Sequence, residues 1–158
     1  MIPKIETSSV AEIKAFQEDK LQELLVYLQN HSPYYRELFL KNQIEISQIK
    51  TLEQLQNLPI TTKTDIQLNN DSFFCVPMNE IIDYATTSGT LGDPVTFGLT
   101  DKDLERLAYN EMISFQCAGI QKGDLVQLMT TMDRRFMAGL AYFLGLRKLG
   151  AGVIRVGA

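Results

Sequence analysis

The sequence has no tryptophan, a single histidine and only two cysteines, and each scarcity removes a class of chemistry. Cys75 and Cys117 stand far apart and form no Cys-x-x-Cys pair, so together with His31 they fall short of the four ligands of a structural zinc site. They read better as two reduced thiols of a cytoplasmic protein than as a disulfide framework. Positive charge is not in excess either. Fifteen Lys and Arg face nineteen Asp and Glu, a net charge of -4, which gives the chain as a whole no attraction to nucleic acid or to an anionic membrane. No apolar run approaches the ~20 residues needed to cross a bilayer. The first residues carry no apolar core of a secretory signal, and acid appears already at Glu6. Repeats and low-complexity tracts are absent. What is present is ordinary for a soluble globular protein: 45% apolar residues, enough for a core, over 158 residues. The expectation is a cytoplasmic protein with neither nucleic acid nor membrane as partner.

The chain changes character near residue 80. Residues 1–80 read as a helical N-terminal segment and residues 81–158 as an α/β segment, both parts of one incomplete domain. Ser9 and Glu12 have the spacing of a capping box, and Val10, Ile13, Phe16, Leu21, Leu24, Leu25 and Leu28 follow on one helical face. Ser32-Pro33 starts a second helix, since proline at the first helical position gives up an N–H that has no partner there. Thr51 with Gln54, and then Thr61 or Thr62, open further short helices. In the second part, Ile81–Tyr84 and Val95–Leu99 read as strands around a polar loop. Thr100 caps a helix whose buried face is Leu104, Leu107, Ala108, Met112 and Phe115, and Gly119 ends it. Asp124–Met129, Phe136–Leu149 and Gly152–Val156 then read as strand, helix and strand, a parallel βαβ unit.

The loop between the first two strands is Thr86-Thr87-Ser88-Gly89-Thr90-Leu91-Gly92-Asp93-Pro94. Glycines let a backbone come close and turn its N–H groups inward, and hydroxyls add short donors, so such a loop suits a phosphate chain. It lacks the Gly-Lys-Ser/Thr ending of a Walker A loop and the glycine spacing of a dinucleotide fingerprint. The composition alone equally suits a polar hairpin loop with a proline stop.

Thr87-Ser88-Gly89-Thr90-x-Gly92-x-Pro94 resembles the phosphate-binding signature of the adenylate-forming superfamily. Leu91 stands where a second threonine is usual, and Val95 where a lysine often follows the proline. Further segments resemble phenylacetate–CoA ligases in order along the chain: Ser32-Pro33-Tyr34-Tyr35-Arg36, Leu58-Pro59-Ile60-Thr61-Thr62-Lys63-Thr64-Asp65, Ala118-Gly119-Ile120 with Gly123-Asp124, and Leu149-Gly150-Ala151. The resemblance spans nearly the whole chain. It implies the N-terminal fragment of an ATP-dependent acyl-CoA ligase, an acid–thiol ligase that joins a carboxylic acid, such as phenylacetate, to AMP and then to CoA. ATP, Mg2+ and CoA are the implied cofactors of the full-length enzyme.

By the same resemblance, Thr87, Ser88, Gly89, Thr90 and Gly92 hold the phosphates, with one hydroxyl fewer because of Leu91. Phe136 and Gly139 fall where the family lines its acyl pocket, although an aromatic at helical spacing is more often core than pocket. Arg134 and Arg135 replace residues that are mostly uncharged there, as surface charges or as partners of a phosphate or carboxylate. No catalytic residue and no metal ligand is assigned. The family's adenine- and ribose-binding residues and its catalytic lysine have no counterpart in the sequence, so the fragment alone is expected to be inactive, and its β-branched end to favour a homo-oligomer. A non-catalytic phosphate-binding or protein-interaction module of the same fold is the alternative.

Overall fold

The computed structural model describes residues 3–87 and 94–157. The chain divides into two compact units, Met1–Pro77 and Met78–Ala158.

The first unit is helical because its helix starts are written into local sequence. Helix α1 (Val10–His31) opens on a complete capping box: the Glu12 N–H donates to the Ser9 hydroxyl, and the Ser9 N–H donates to the Glu12 carboxylate at 2.8 Å. Helix α2 (Pro33–Lys41) takes Ser32 as its cap, the hydroxyl accepting from the Tyr35 N–H. Helix α3 (Lys63–Leu68) is opened by Thr62 and Asp65 in the same reciprocal way. Leu21, Leu25, Phe39 and Ile49 form the core, flanked by Leu28, Tyr35, Leu52 and Leu58. The apolar face of α1 is narrower than its sequence pattern predicts. Val10, Phe16 and Leu24 stay exposed, because the elements packed on α1 meet it mainly along Leu21, Leu25 and Leu28. Lys14 on α1 pairs with Glu53 and ties the 3-10 turn Leu52–Asn57 to the helix.

The second unit is α/β. Strands β1 (Asp83–Thr86) and β2 (Thr96–Leu99) form an antiparallel hairpin in the register Thr86 opposite Thr96. β1 begins two residues later than the sequence predicts, since Met78–Glu80 forms a 3-10 turn just before it. Helix α4 (Asp101–Cys117) starts on the Thr100–Asp103 box. Strand β3 (Leu125–Leu128), helix α5 (Met137–Leu149) and strand β4 (Gly152–Arg155) complete the expected parallel βαβ unit, Leu125 pairing with Gly152 and Leu128 with Arg155. Gly150 ends α5 at φ 85°, a left-handed cap that suits glycine.

α4 and α5 pack closely because Gly145 has no side chain. A Cβ there would lie 2.4 Å from the Glu111 Cβ and 3.0 Å from the Met112 nitrogen. Leu146, the next residue, has no exposed surface at all. Phe115 meets Tyr142 edge-on at 6.0 Å, and Lys148 pairs with Glu105 at the same helix pair.

One outcome is expected in each unit. Gly145→Ala should destabilise the protein by about 1–3 kcal/mol, the range for overfilling a packed contact, measured by urea unfolding. The second concerns acid. Its hydrogen bond to Lys14 holds the Glu53 carboxyl down from 4.5 to about 2. A depressed carboxylate contributes stability that is complete above its unfolded pKa and lost as pH falls through the folded one. Stability should therefore fall between pH 4.5 and 2, and in Glu53→Gln that fall should be shallower, as read by denaturant midpoints over pH.

Candidate functional site

Of the residues assigned to phosphate binding, Ser88, Gly89, Thr90 and Gly92 lie outside the described residues. The hairpin that carries them is described, and Thr87 closes it. The Thr87 N–H donates to the Val95 carbonyl at 3.0 Å, and the Val95 N–H donates back to the Thr87 hydroxyl at 3.0 Å. A side-chain oxygen thus takes the place of a ladder carbonyl, a local bond that threonine offers readily. The hydroxyl keeps its own proton to donate.

Thr86, the last residue of β1, sends its N–H not to β2 but to the Arg135 carbonyl, at 3.0 Å. That bond brings the segment 131–136 to the end of β1, on the edge facing away from β2. Arg134 and Arg135 there adopt φ of 54° and 59°, and the Phe136 N–H donates to the Asp133 carbonyl. The Thr131 hydroxyl bonds the Asp133 carboxylate. Phe136 sits at the start of α5, with 44% of its surface exposed, so it is not a core residue.

Gly139, in the first turn of α5, is buried against the same segment. A Cβ at this position would lie 1.8 Å from the Thr131 carbonyl oxygen. The space that a side chain would take is filled by backbone, so Gly139 bears on any neighbouring ligand through the placement of residues 131–136. The structure therefore brings Thr87, Phe136 and Gly139 into one region through the Thr86–Arg135 bond. Sequence reasoning missed Thr86 and Thr131, whose contributions are non-local backbone contacts with no motif to announce them.

The other chemistry-bearing residues stay structural. The His31 ring lies against Tyr27, centroids 4.5 Å apart. Tyr34 stacks on Phe73 at 4.0 Å, and Tyr35 meets the same ring edge-on while also packing against the core of α1 and Phe39. Arg36 donates to the Gln29 and Asn30 carbonyls and so caps the end of α1. Burial pushes the Cys75 thiol up, and Cys117 is free and exposed. An open groove of about 430 Å³ lies between α4 and α5, lined by Asp101, Glu105, Leu144 and Arg147. It sits toward the end of β2 remote from Thr87, because α4 leaves that end. Among the described residues no group of three or more His, Cys, Asp or Glu is placed to hold a metal ion, and no helix is long and apolar enough to cross a membrane.

The chain is 32% identical over 151 residues to the phenylacetate–coenzyme A ligase of Escherichia coli, an alignment covering 95% of this chain and 34% of that protein. The chain is homologous to the N-terminal third of the phenylacetate–CoA ligases and belongs with the adenylate-forming enzymes. The ligase of the same name from Thermus thermophilus is 30% identical over 155 residues, 98% of this chain and 35% of that protein. The chain thus spans about a third of the length of the curated relatives it matches. The crystal structure of 2-hydroxyisobutyryl-CoA ligase in complex with 2-HIB-AMP and CoA superposes with a TM-score of 0.91 at 29% identity, over 99% of this chain and 34% of that chain. The helices, hairpin and βαβ unit are therefore those of the N-terminal region of an acyl-CoA ligase. No family model matches the chain.

Gly139→Ala should force the Thr131–Met132 backbone away from α5 and destabilise the protein by about 1–3 kcal/mol. The Thr86 amide resonance should move with it, since its acceptor sits on the displaced segment. A variant with wild-type stability and an unmoved Thr86 amide would show that the contact is slack.

Proposed function

We propose that this chain supplies the phosphate-binding side and part of the acyl pocket of an ATP-dependent acyl-CoA ligase that acts on an aryl acid such as phenylacetate. The observation that carries the reading is the homology with phenylacetate–CoA ligases along 95% of the chain. The relative solved with 2-HIB-AMP and CoA supports an acyl-adenylate and CoA as reactants.

In this reading Ser88, Gly89, Thr90 and Gly92 bind the phosphates of ATP through backbone N–H groups and hydroxyls. Thr87 closes the loop with its hydroxyl oxygen and has a proton left to donate. Leu91 offers no hydroxyl, so backbone donors carry more of the grip. Donors aimed at phosphate oxygens offset charge as the carboxylate attacks the α-phosphorus and pyrophosphate leaves. Phe136 gives an aromatic wall for the acid, and Gly139 sets the position of the segment that bears it. Magnesium, implied by the same chemistry, finds no cluster of protein ligands among the described residues. The proposed setting is the cytoplasm. A second copy of the chain is a proposed partner, consistent with the exposure of Leu125, Met129, Ile154 and Val156.

Thr90→Ala should weaken ATP binding by roughly 1–3 kcal/mol, the scale of a lost hydrogen bond to a charged group, in isothermal titration calorimetry. Unchanged affinity would make the loop a structural turn. The substrate class is tested by carboxylate-dependent exchange of labelled pyrophosphate into ATP by the enzyme that carries this chain. Exchange driven by 2-hydroxyisobutyrate and not by phenylacetate would overturn the aryl-acid assignment.

A further inference from the structure

Two charged residues beside β1 have no part in the packing described. Arg134 and Arg135 occupy consecutive left-handed positions, φ 54° and 59°. A Cβ crowds the backbone there, so glycine is the residue such a turn favours and arginine is an unusual one. Strain of this kind persists where the surroundings hold it, and functional sites are common among such places. The surroundings hold it here from two sides. The Arg135 carbonyl is bonded by the Thr86 N–H, and the backbone at Thr131 is pressed against Gly139.

The turn also leaves its charge unspent. Both arginines are exposed, and among the described residues neither takes part in an ion pair. The nearest carboxylate in sequence, Asp133, accepts from the Thr131 hydroxyl. The backbone that carries two arginines is thus held at the edge of the strand that runs into Thr87, next to an exposed Phe136. A guanidinium presents a planar fork of donors that matches a carboxylate or phosphate in a two-point contact.

We propose that Arg134 and Arg135 form an oxyanion-binding turn that takes either a phosphate of the nucleotide or the carboxylate of the acid. The proposal deepens the ligase reading and rests on it for the identity of the two ligands. It makes the turn a specificity element: a chain with glycine at these positions would form the same bend without the charge.

The test titrates inorganic pyrophosphate and, separately, phenylacetate into the wild-type chain and two double variants by calorimetry. R134G/R135G keeps a backbone at ease in the left-handed region and removes both charges. R134K/R135K keeps the charges and removes the planar fork. Binding of one ion to the wild-type chain should drop by about tenfold or more in the glycine variant, the scale of losing a charge-assisted hydrogen bond, and by less in the lysine variant. The thermal midpoint of the glycine variant should equal or exceed that of the wild type, which separates lost binding from lost folding. Loss of pyrophosphate assigns the turn to the nucleotide, and loss of phenylacetate assigns it to the acid. Equal affinity in the wild type and the glycine variant would overturn the proposal and leave the arginines as solvated charges. In that case, a loss of pyrophosphate on Thr90→Ala would keep the phosphate-loop reading intact. Failure of both ions to bind the wild-type chain at millimolar concentration would overturn it as well.

Discussion

The geometry of the second unit hangs on two places along α5 where a backbone is approached more closely than any side chain allows. At Gly145 the helix meets α4, with Glu111 and Met112 filling the volume of the missing Cβ. At Gly139 it meets the carbonyl of Thr131. The first contact buries Leu146 and Ala108 in the helix pair. The second presses the segment before α5 into reach of β1. Both depend on the volume left by a missing side chain, and a dense interior has little freedom to yield.

That placement matters for a reaction in which a carboxylate must attack a phosphate. The two binding regions have to be neighbours, because misplacing the reactants by an ångström is expensive in rate. Residues 86–87 and 131–136 are far apart in sequence. One main-chain bond, from Thr86 to Arg135, sets them side by side. On the ligase reading it joins the phosphate end of the site to the acid end. Because it is a backbone bond, side-chain changes at either residue can retune the site without moving it.

Much of the fold was legible in the residues because its signals are short-range. The boxes read at Ser9 and Thr51 each join residues three apart and are formed, and the caps read at Thr61 or Thr62 and at Thr100 are full boxes at Thr62 and Thr100. The βαβ unit followed from a strand, helix, strand order with glycine at the helix exit. The misses are long-range. The buried stripe of α1 depends on which partners cover it, so Val10, Phe16 and Leu24 read as core and are exposed. A left-handed pair at Arg134 and Arg135 has no local signature, since arginine is among the residues least suggestive of one. Gly139 was read, by family likeness, as a residue of the acyl pocket. That its space belongs to the Thr131 carbonyl depends on a chain reversal that no pattern in the sequence encodes. The loop residues 88–92 were read from composition and family likeness, and they lie outside the described residues.

The reciprocal boxes have a consequence beyond starting helices. Each relies on an acid or amide that accepts at the cap, and in α1 and α3 the cap hydroxyls of Ser9 and Thr62, and after them the cap N–H groups, hold the acids Glu12 and Asp65 below their ordinary pKa values. The contribution of a depressed carboxylate is present when it is ionised and vanishes as acid protonates it. Acid therefore works on the ends of these helices before their middles, fraying α1 from Ser9 and α3 from Thr62. The close contact at Gly145 is made of β-carbon and main-chain atoms, but the same helix pair also carries the Lys148–Glu105 bond, which holds the Glu105 carboxyl below its ordinary range. Under acid the chain should come apart from such edges first, the helix starts and the Lys148–Glu105 bond released before the volume contact at Gly145.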